Sequence, residues 1–372
     1  MKKRFALLLS LVLIVTLFAA CGKKTDGDKP STGGDVNNGQ EVDNGNTGKE
    51  DDTDSDNGNT EEPTDVVVKT GIAVITSAAK SKAATADAEG TAQFDSVVVG
   101  VLVDEAGKIL ACEIDTAQTK IGFSAEGAIT TPAETVFKSK QELQGEYGMV
   151  GASPIGKEWF EQADAFAEYV VGKTVDEVKG IALEEGKAAV EELKSSVTMS
   201  VGGYIDAIVK AAENAKVLGA GADDKLGLGV TTTLEGSKDA TADAAGKARA
   251  YSNYAAVSVN AEGKITSCAI DSSQSDVVID GTGAIAADTP TEFKTKQELQ
   301  GDYGMVGASP IGKEWFEQAD AFAAYVTGKT LAEVQGIALE ESKPTDAELA
   351  ATVTMKVAGY IDVIVKGVSK AR

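Results

Sequence analysis

Two threonines stand where the chain enters a helix. Thr198 precedes Gly202-Gly203 and Thr354 precedes Ala358-Gly359, and in both places an apolar stripe at helical spacing follows. Free backbone N–H groups and the positive end of the helix dipole favour an anion such as phosphate at that junction. A Thr that simply leaves a strand and caps a helix fits the same residues. A second group lies in the glycine loop "YGMVGASPIGKEW", with Tyr147, Gly151, Ser153, Lys157 and Trp159, and again with Tyr303, Gly307, Ser309 and Trp315. Glycines, a helix N-terminus at Ser153, a cation and two aromatic surfaces can accept a phosphate and stack a planar ring. A tight turn, an N-cap and a Trp anchoring its helix in the core account equally for the pattern.

Other chemistry is narrowed by what the chain lacks. It contains no histidine, which removes His-based triads, His general bases and His metal sites, and leaves little for a zinc site. "VGKT" at Val171–Thr174 fails as a phosphate-binding P-loop, because Ala167 stands where its first Gly is required. Asp104, Glu105 and Asp115 follow no EF-hand spacing and read as a solvated turn. Apart from Cys21, the cysteines are Cys112 and Cys268, at the same place in two copies of one pattern. They read as small buried hydrophobes rather than a disulfide framework. A net charge of −23 argues against nucleic acid and anionic lipid as partners.

The positioning elements are written twice. Gly71 to Ala215 recurs 156 positions later as Gly227 to Ala371 without a gap, and Tyr147–Ala167 is letter for letter Tyr303–Ala323. Repeats of this length read as tandem domains, each able to close its own core and fold alone. In one copy, Val97, Val99, Val101 and Val103 alternate as a strand, "DEAG" (Asp104–Gly107) turns the chain, and Lys108–Asp115 returns. A smaller hairpin is predicted at Lys120–Thr130. Ser153-Pro154 reads as the N-cap and first position of a helix carrying Ile155, Trp159, Ala163, Phe166 and Val170 on one stripe. "TVDE" (Thr174–Glu177), matched by "TLAE" (Thr330–Glu333), reads as a capping box. A short strand at Val197–Met199 leads into a closing helix with Tyr204, Ile205, Ile208 and Ala212 inward, kept as Tyr360, Ile361, Ile364 and Val368. Strands first and helices after give an α+β fold: two tandem homologous domains, each a small antiparallel sheet packed with helices.

This order of elements resembles the FMN-binding domain family of secreted and membrane-anchored flavoproteins. In that family the junction reads Ser-Gly-Ala-Thr, and the Thr carries FMN through a phosphoester bond. Here the matching stretches are Ser195-Ser196-Val197-Thr198 and Ala351-Thr352-Val353-Thr354, so the Thr is in place and the Gly-Ala is not. Gly permits close approach to the backbone, and a β-branched Val crowds it. The resemblance therefore implies FMN held without a covalent bond. The phosphate would lie at Thr198 with Gly202 or at Ser153 with Gly151, and in the second copy at Thr354 with Gly359 or at Ser309 with Gly307. Tyr147 or Trp159, and Tyr303 or Trp315, would lie against the ring.

The start of the chain resembles a bacterial lipoprotein signal: Lys2, Lys3 and Arg4, then an uncharged run from Phe5 to Ala20, then Cys21 as the lipidated residue. Residues 22–65 are Gly, Asn, Asp, Glu and Thr with almost no apolar side chain, which predicts a disordered acidic tether spanning roughly 35–40 Å. The expected organisation is a signal at 1–21, the tether at 22–65, and repeats at 66–215 and 216–372. The expected protein is anchored to the extracytoplasmic face of a membrane by its lipid alone. It binds flavin and passes electrons to an extracytoplasmic redox partner, and reads more as a binding or electron-transfer protein than as an enzyme with its own substrate turnover. The alternative is a flavin-free surface lipoprotein that binds another ligand or a protein partner.

Overall fold

The structure, a computed structural model, describes residues 66–287, 289, 290 and 293–372. Cys21, the signal and the tether lie outside these residues. Each copy begins with a β-rich stretch whose turns are set by glycine. β1 (Lys69–Ser77), β2 (Gly90–Val103) and β3 (Ile109–Phe123) form an antiparallel meander in that order. Gly107, with φ of 77°, closes the β2–β3 turn, the conformation that "DEAG" requires. β1 is a strand the sequence reading does not contain, and β3 runs well past Asp115. The smaller hairpin is present as a tight return, Phe123 bridging Ile129.

Helices then cover one face of the sheet: α1 (Lys140–Leu143), α2 (Trp159–Val170) and α3 (Val175–Lys179). A two-residue hairpin, β4 (Leu183–Glu184) with β5 (Lys187–Ala188), leads to α4 (Gly202–Glu213). Thr174 caps α3 with Glu177 in the expected box, and the stripe Trp159, Ala163, Phe166 and Val170 is buried. Two local expectations change. The N-cap of α2 is Glu158, which forms a capping box with Glu161, and Ser153 instead ends a short 3-10 turn. Val197–Met199 is not a strand: the N–H groups of Thr198 and Met199 go to a side chain rather than to a neighbouring strand.

The second copy repeats the plan as β6 (Lys225–Thr233), β7 (Gly246–Val259), β8 (Ile265–Ile279), α5 (Lys296–Leu299), α6 (Trp315–Val326) and α7 (Leu331–Gln335). β9 (Leu339–Glu340), β10 (Lys343–Pro344), α8 (Ala347–Thr352) and α9 (Ala358–Lys370) complete it. The fold is α+β, with antiparallel sheets packed against helices.

Alternation along β2 decides how the copies meet. Val99, Val101 and Val103 face the helices of their own copy. Val98 and Leu102, on the opposite face, pack with Leu226, Leu228, Val230 and Tyr254 of the second copy. Further along, Phe94, Ile121 and Phe123 meet Leu234, Val277 and Ile279. The layers therefore run helices, sheet, sheet, helices, and the inner faces of the two sheets form one shared core. The reading of self-contained copies misses this, because a strand buried on both faces does not say what covers the second one.

The packing is reciprocal, as in a two-fold dimer whose subunits are joined end to end. Lys210 pairs with Glu298 at 2.5 Å, and its counterpart Lys366 pairs with Glu142 at 2.7 Å. The Ala84 N–H donates to the Gly283 carbonyl at 2.8 Å, and the Ala240 N–H to the Gly127 carbonyl at 3.0 Å.

Candidate functional site

The two stretches that sequence offers as alternatives lie side by side, joined by one fully buried side chain. Gln162 projects from α2, and its carboxamide oxygen accepts the Thr198 N–H at 2.8 Å and the Met199 N–H at 3.1 Å. The Thr198 hydroxyl approaches the same oxygen at 3.3 Å. On its other side the Gln162 amide donates to Ser153 Oγ at 3.1 Å and to the Lys157 carbonyl at 3.2 Å. Gln318 makes the same contacts to Thr354, Met355, Ser309 and Lys313. Neither the spacing nor the composition of "WFEQADAF" marks this Gln, and only its position on the buried stripe of α2 hints at it.

The glycine loop supplies its own anion. The Glu158 carboxylate accepts the Met149 N–H at 2.8 Å and the Val150 N–H at 3.2 Å, and Glu314 does the same for Met305 and Val306. Ser153 and Gly151, with Ser309 and Gly307, therefore frame a loop closed around a carboxylate rather than an open phosphate cradle. Trp159 and Trp315 are each 2% exposed, and their indole N–H groups donate to Tyr204 and Tyr360 hydroxyls at 2.9 Å. They anchor the core and offer no free ring face. Tyr147 and Tyr303 are half-buried, with Lys140 4.5 Å and Lys296 4.7 Å from their ring centroids.

The helix junctions remain open. No side chain caps α4 or α9, whose N-cap positions are Val201 and Val357. A Cβ at Gly203 would meet nothing within 4 Å, whereas one at Gly359 would stand 2.9 Å from the Asn253 amide nitrogen. Asn253 Oδ1 is buried and has no hydrogen-bond partner among the described residues, and neither has Thr116 Oγ1. Thr116 lies beside the Tyr204 hydroxyl in the first turn of α4. An oriented helix end and a threonine suit a phosphate at these junctions, whereas the Asn253 oxygen, an acceptor itself, does not contribute to holding one. The tryptophans do not supply a ring site.

A separate cavity of about 630 Å³ opens between the copies, within the 300–1,000 Å³ typical of small-molecule sites. Asp271 from β8 lies on its wall with the start of α5. The Asp271 carboxylate accepts the Ser272 and Gln297 N–H groups at 2.7 and 3.1 Å and the Thr295 hydroxyl. Burial raises its pKa to about 7 against these hydrogen bonds. Cys268 also lines the cavity, and burial raises its thiol to about 12, so it is no thiolate nucleophile. The sequence reading names none of these residues as a site, because they come together only when the copies pack. Among the described residues no cluster of His, Cys, Asp and Glu is arranged to hold a metal, and no helix is long and apolar enough to cross a membrane.

No family model matches the chain, and no solved structure matches it. A chlorophenol reductase of Desulfitobacterium hafniense is 32% identical over 92 residues, 22% of this chain and 28% of that protein. The chain thus spans less than a third of the length of that relative.

Proposed function

We propose that this chain is an extracytoplasmic protein of the redox class, anchored through Cys21, that holds FMN non-covalently at its helix junctions and passes electrons to a partner. The observation that carries the reading is the uncapped start of α4 beside Thr198, repeated at α9 beside Thr354. Gln162 and Gln318 hold both junctions rigid, so a phosphate there meets N–H groups already oriented. The name of the similar chlorophenol reductase supports redox chemistry. Ser196-Val197 and Thr352-Val353 in place of Gly-Ala support a non-covalent mode. Flavin, when bound, supplies one- or two-electron transfer. The chain's part is to fix the phosphate and to place Tyr147 or Tyr303 near the ring.

Titrating FMN with the full chain in detergent is expected to quench flavin fluorescence, and Gly203→Pro is expected to weaken that binding. Unchanged fluorescence at high micromolar FMN would overturn the flavin reading. Flavin that stays with the denatured chain would overturn the non-covalent one. The 630 Å³ cavity favours a second reading, a flavin-free ligand-binding lipoprotein, and it predicts a colourless protein that still binds a small molecule between its copies.

A further inference from the structure

The packing of the two copies creates two related cavities, and they have diverged. The smaller, about 180 Å³, is lined by eight residues, and the counterpart of every one of them, 156 positions away, lines the 630 Å³ cavity. They are therefore one site seen twice.

Four of the eight paired positions differ, Leu228 against Ile72 and three more at charged side chains of the small cavity. In the small cavity Arg372 spans Glu113 and Asp164, with contacts of 2.8 and 2.5 Å. Lys370 sets its buried ammonium 3.8 Å from Asp115. The chain's own two cations fill the space. In the large cavity Lys216 replaces Arg372, Asn214 replaces Lys370 and Ala269 replaces Glu113. Lys216 stays 3.8 Å from Asp320, with more than half of each side chain exposed. Asp271, the counterpart of Asp115, is just as buried and has no cation in the Lys370 position.

The other charges at the large cavity are already paired. Lys210 is held by Glu298 and by the Val74 carbonyl, and Glu213 by Lys179. Asp271 and Asp320, the latter accepting from the Gln297 amide at 2.9 Å but with its cation Lys216 no nearer than 3.8 Å, face a space walled by Ile72, Val74, Leu218 and Ala269. The pKa of Asp271, near 7, agrees with a buried carboxylate that lacks its counter-ion.

We infer that the large cavity binds a small organic cation, a guanidine or primary amine on a short aliphatic body, placed as Arg372 and Lys370 are placed in the small one. The cation lies between Asp271 and Asp320, and the aliphatic part lies against Ile72 and Ala269. A guanidinium can bind a carboxylate through two parallel hydrogen bonds, so guanidines bind more tightly than amines. The site lies between the copies, and its occupancy does not depend on whether flavin binds at Thr198 or Thr354.

The test is calorimetric titration of the full chain in detergent with butylguanidine, butylamine and, as the control of opposite charge, butyrate. One cation per chain is expected, with no butyrate binding. Asn214→Lys with Lys216→Arg rebuilds the internal plug, and is expected to abolish binding without lowering the melting temperature. The converse variant, Glu113→Ala with Lys370→Asn and Arg372→Lys, is expected to raise the stoichiometry from one to two. Asp320→Asn, at a half-exposed position, is expected to weaken binding by roughly tenfold. Butyrate binding as well as the cations, cation binding undiminished in the folded plug variant, or no cation binding at millimolar concentration would each overturn the assignment. If the plug variant fails to fold, unchanged stoichiometry in the converse variant decides against it.

Discussion

Leu102→Ala tests whether the two copies share one core, because it changes the first copy and can be read in the second. Leu102 has no exposed surface and packs between the sheets, in the same cluster as Leu226, Leu228 and Tyr254. Truncating a buried Leu costs about 2–5 kcal/mol, lost transfer energy plus the cavity left behind. The chain has two tryptophans, one in each copy. In a Trp159→Phe background, Trp315, buried in the helix–sheet cluster of the second copy, is the only one left to report. With a urea slope of about 3 kcal/mol/M, a loss near 3 kcal/mol moves the midpoint by about 1 M. If the inner core is common to both copies, Trp315 fluorescence shifts by that amount in urea, together with circular dichroism. If each copy closes its own core, dichroism shows an early transition and Trp315 keeps its midpoint. The second result would refute the shared core. It would also predict a monomeric, cooperatively melting fragment 216–372, where the shared core predicts one that self-associates through its bare sheet.

Three further perturbations have defined outcomes. A Cβ at Gly229 would overlap the Val363 carbonyl oxygen of α9, so Gly229→Ala is expected to cost about 3 kcal/mol and lower the melting temperature by about 6–12 °C, while Gly145→Ala, with nothing within 4 Å, leaves it unchanged. Asp271 titrates near 7 when folded against about 4 when unfolded, so the folded state binds the extra proton between those values and stability falls as pH rises through them. Asp271→Asn is expected to flatten that decline in denaturant titrations taken from pH 4 to 7, and an unchanged slope would remove Asp271 as its source. If Cys21 carries the proposed lipid, Cys21→Ala is expected to move the protein from the membrane fraction to the soluble one, because acyl chains would then be the source of membrane affinity. Retention of a signal-cleaved variant in the membrane fraction would argue against the lipid anchor.

Local structure was legible wherever a short-range rule governs it. Thr174 and Thr330 form their capping boxes, Gly107 and Gly263 take the positive φ of their turns, and Cys112 and Cys268 are buried. Ser153-Pro154 misleads because it carries a strong N-cap signal, while Glu158, a weaker capper, gains its place by also accepting the Met149 and Val150 N–H groups. "SVTMS" alternates like a strand, but Gln162 takes the N–H groups that a strand partner would take. Of the candidate sites, the helix junctions are visible in sequence as Gly-Gly and Ala-Gly after a Thr. The cavity is not, because its walls come from β1, α4, β8, α5 and α6, and no spacing rule connects them.

The letter-for-letter run Tyr147–Ala167 looks like the strongest functional signal in the sequence, yet packing explains its buried residues, while Gly148, Val150, Gly151 and Ala152 stay exposed. Glu158 closes the loop, Gln162 fastens Thr198 and Met199, Trp159 bonds Tyr204, and Ala163 and Phe166 fill the core. Each has an internal partner in its own copy, so a change at one would have to be matched by a change at the other, and both copies are held to the same solution. The cavity walls obey a looser constraint. Arg372 with Glu113 satisfies the packing of one side, and Lys216 with Ala269 satisfies the other, at the cost of an open space beside Asp271. Two-fold packing of equivalent copies requires that the two cavities arise together. It does not require that both stay open. In a duplicated chain of this kind, identity between the copies marks the scaffold, and the departures from symmetry at 113/269, 214/370 and 216/372 mark where the surface is free to acquire a ligand.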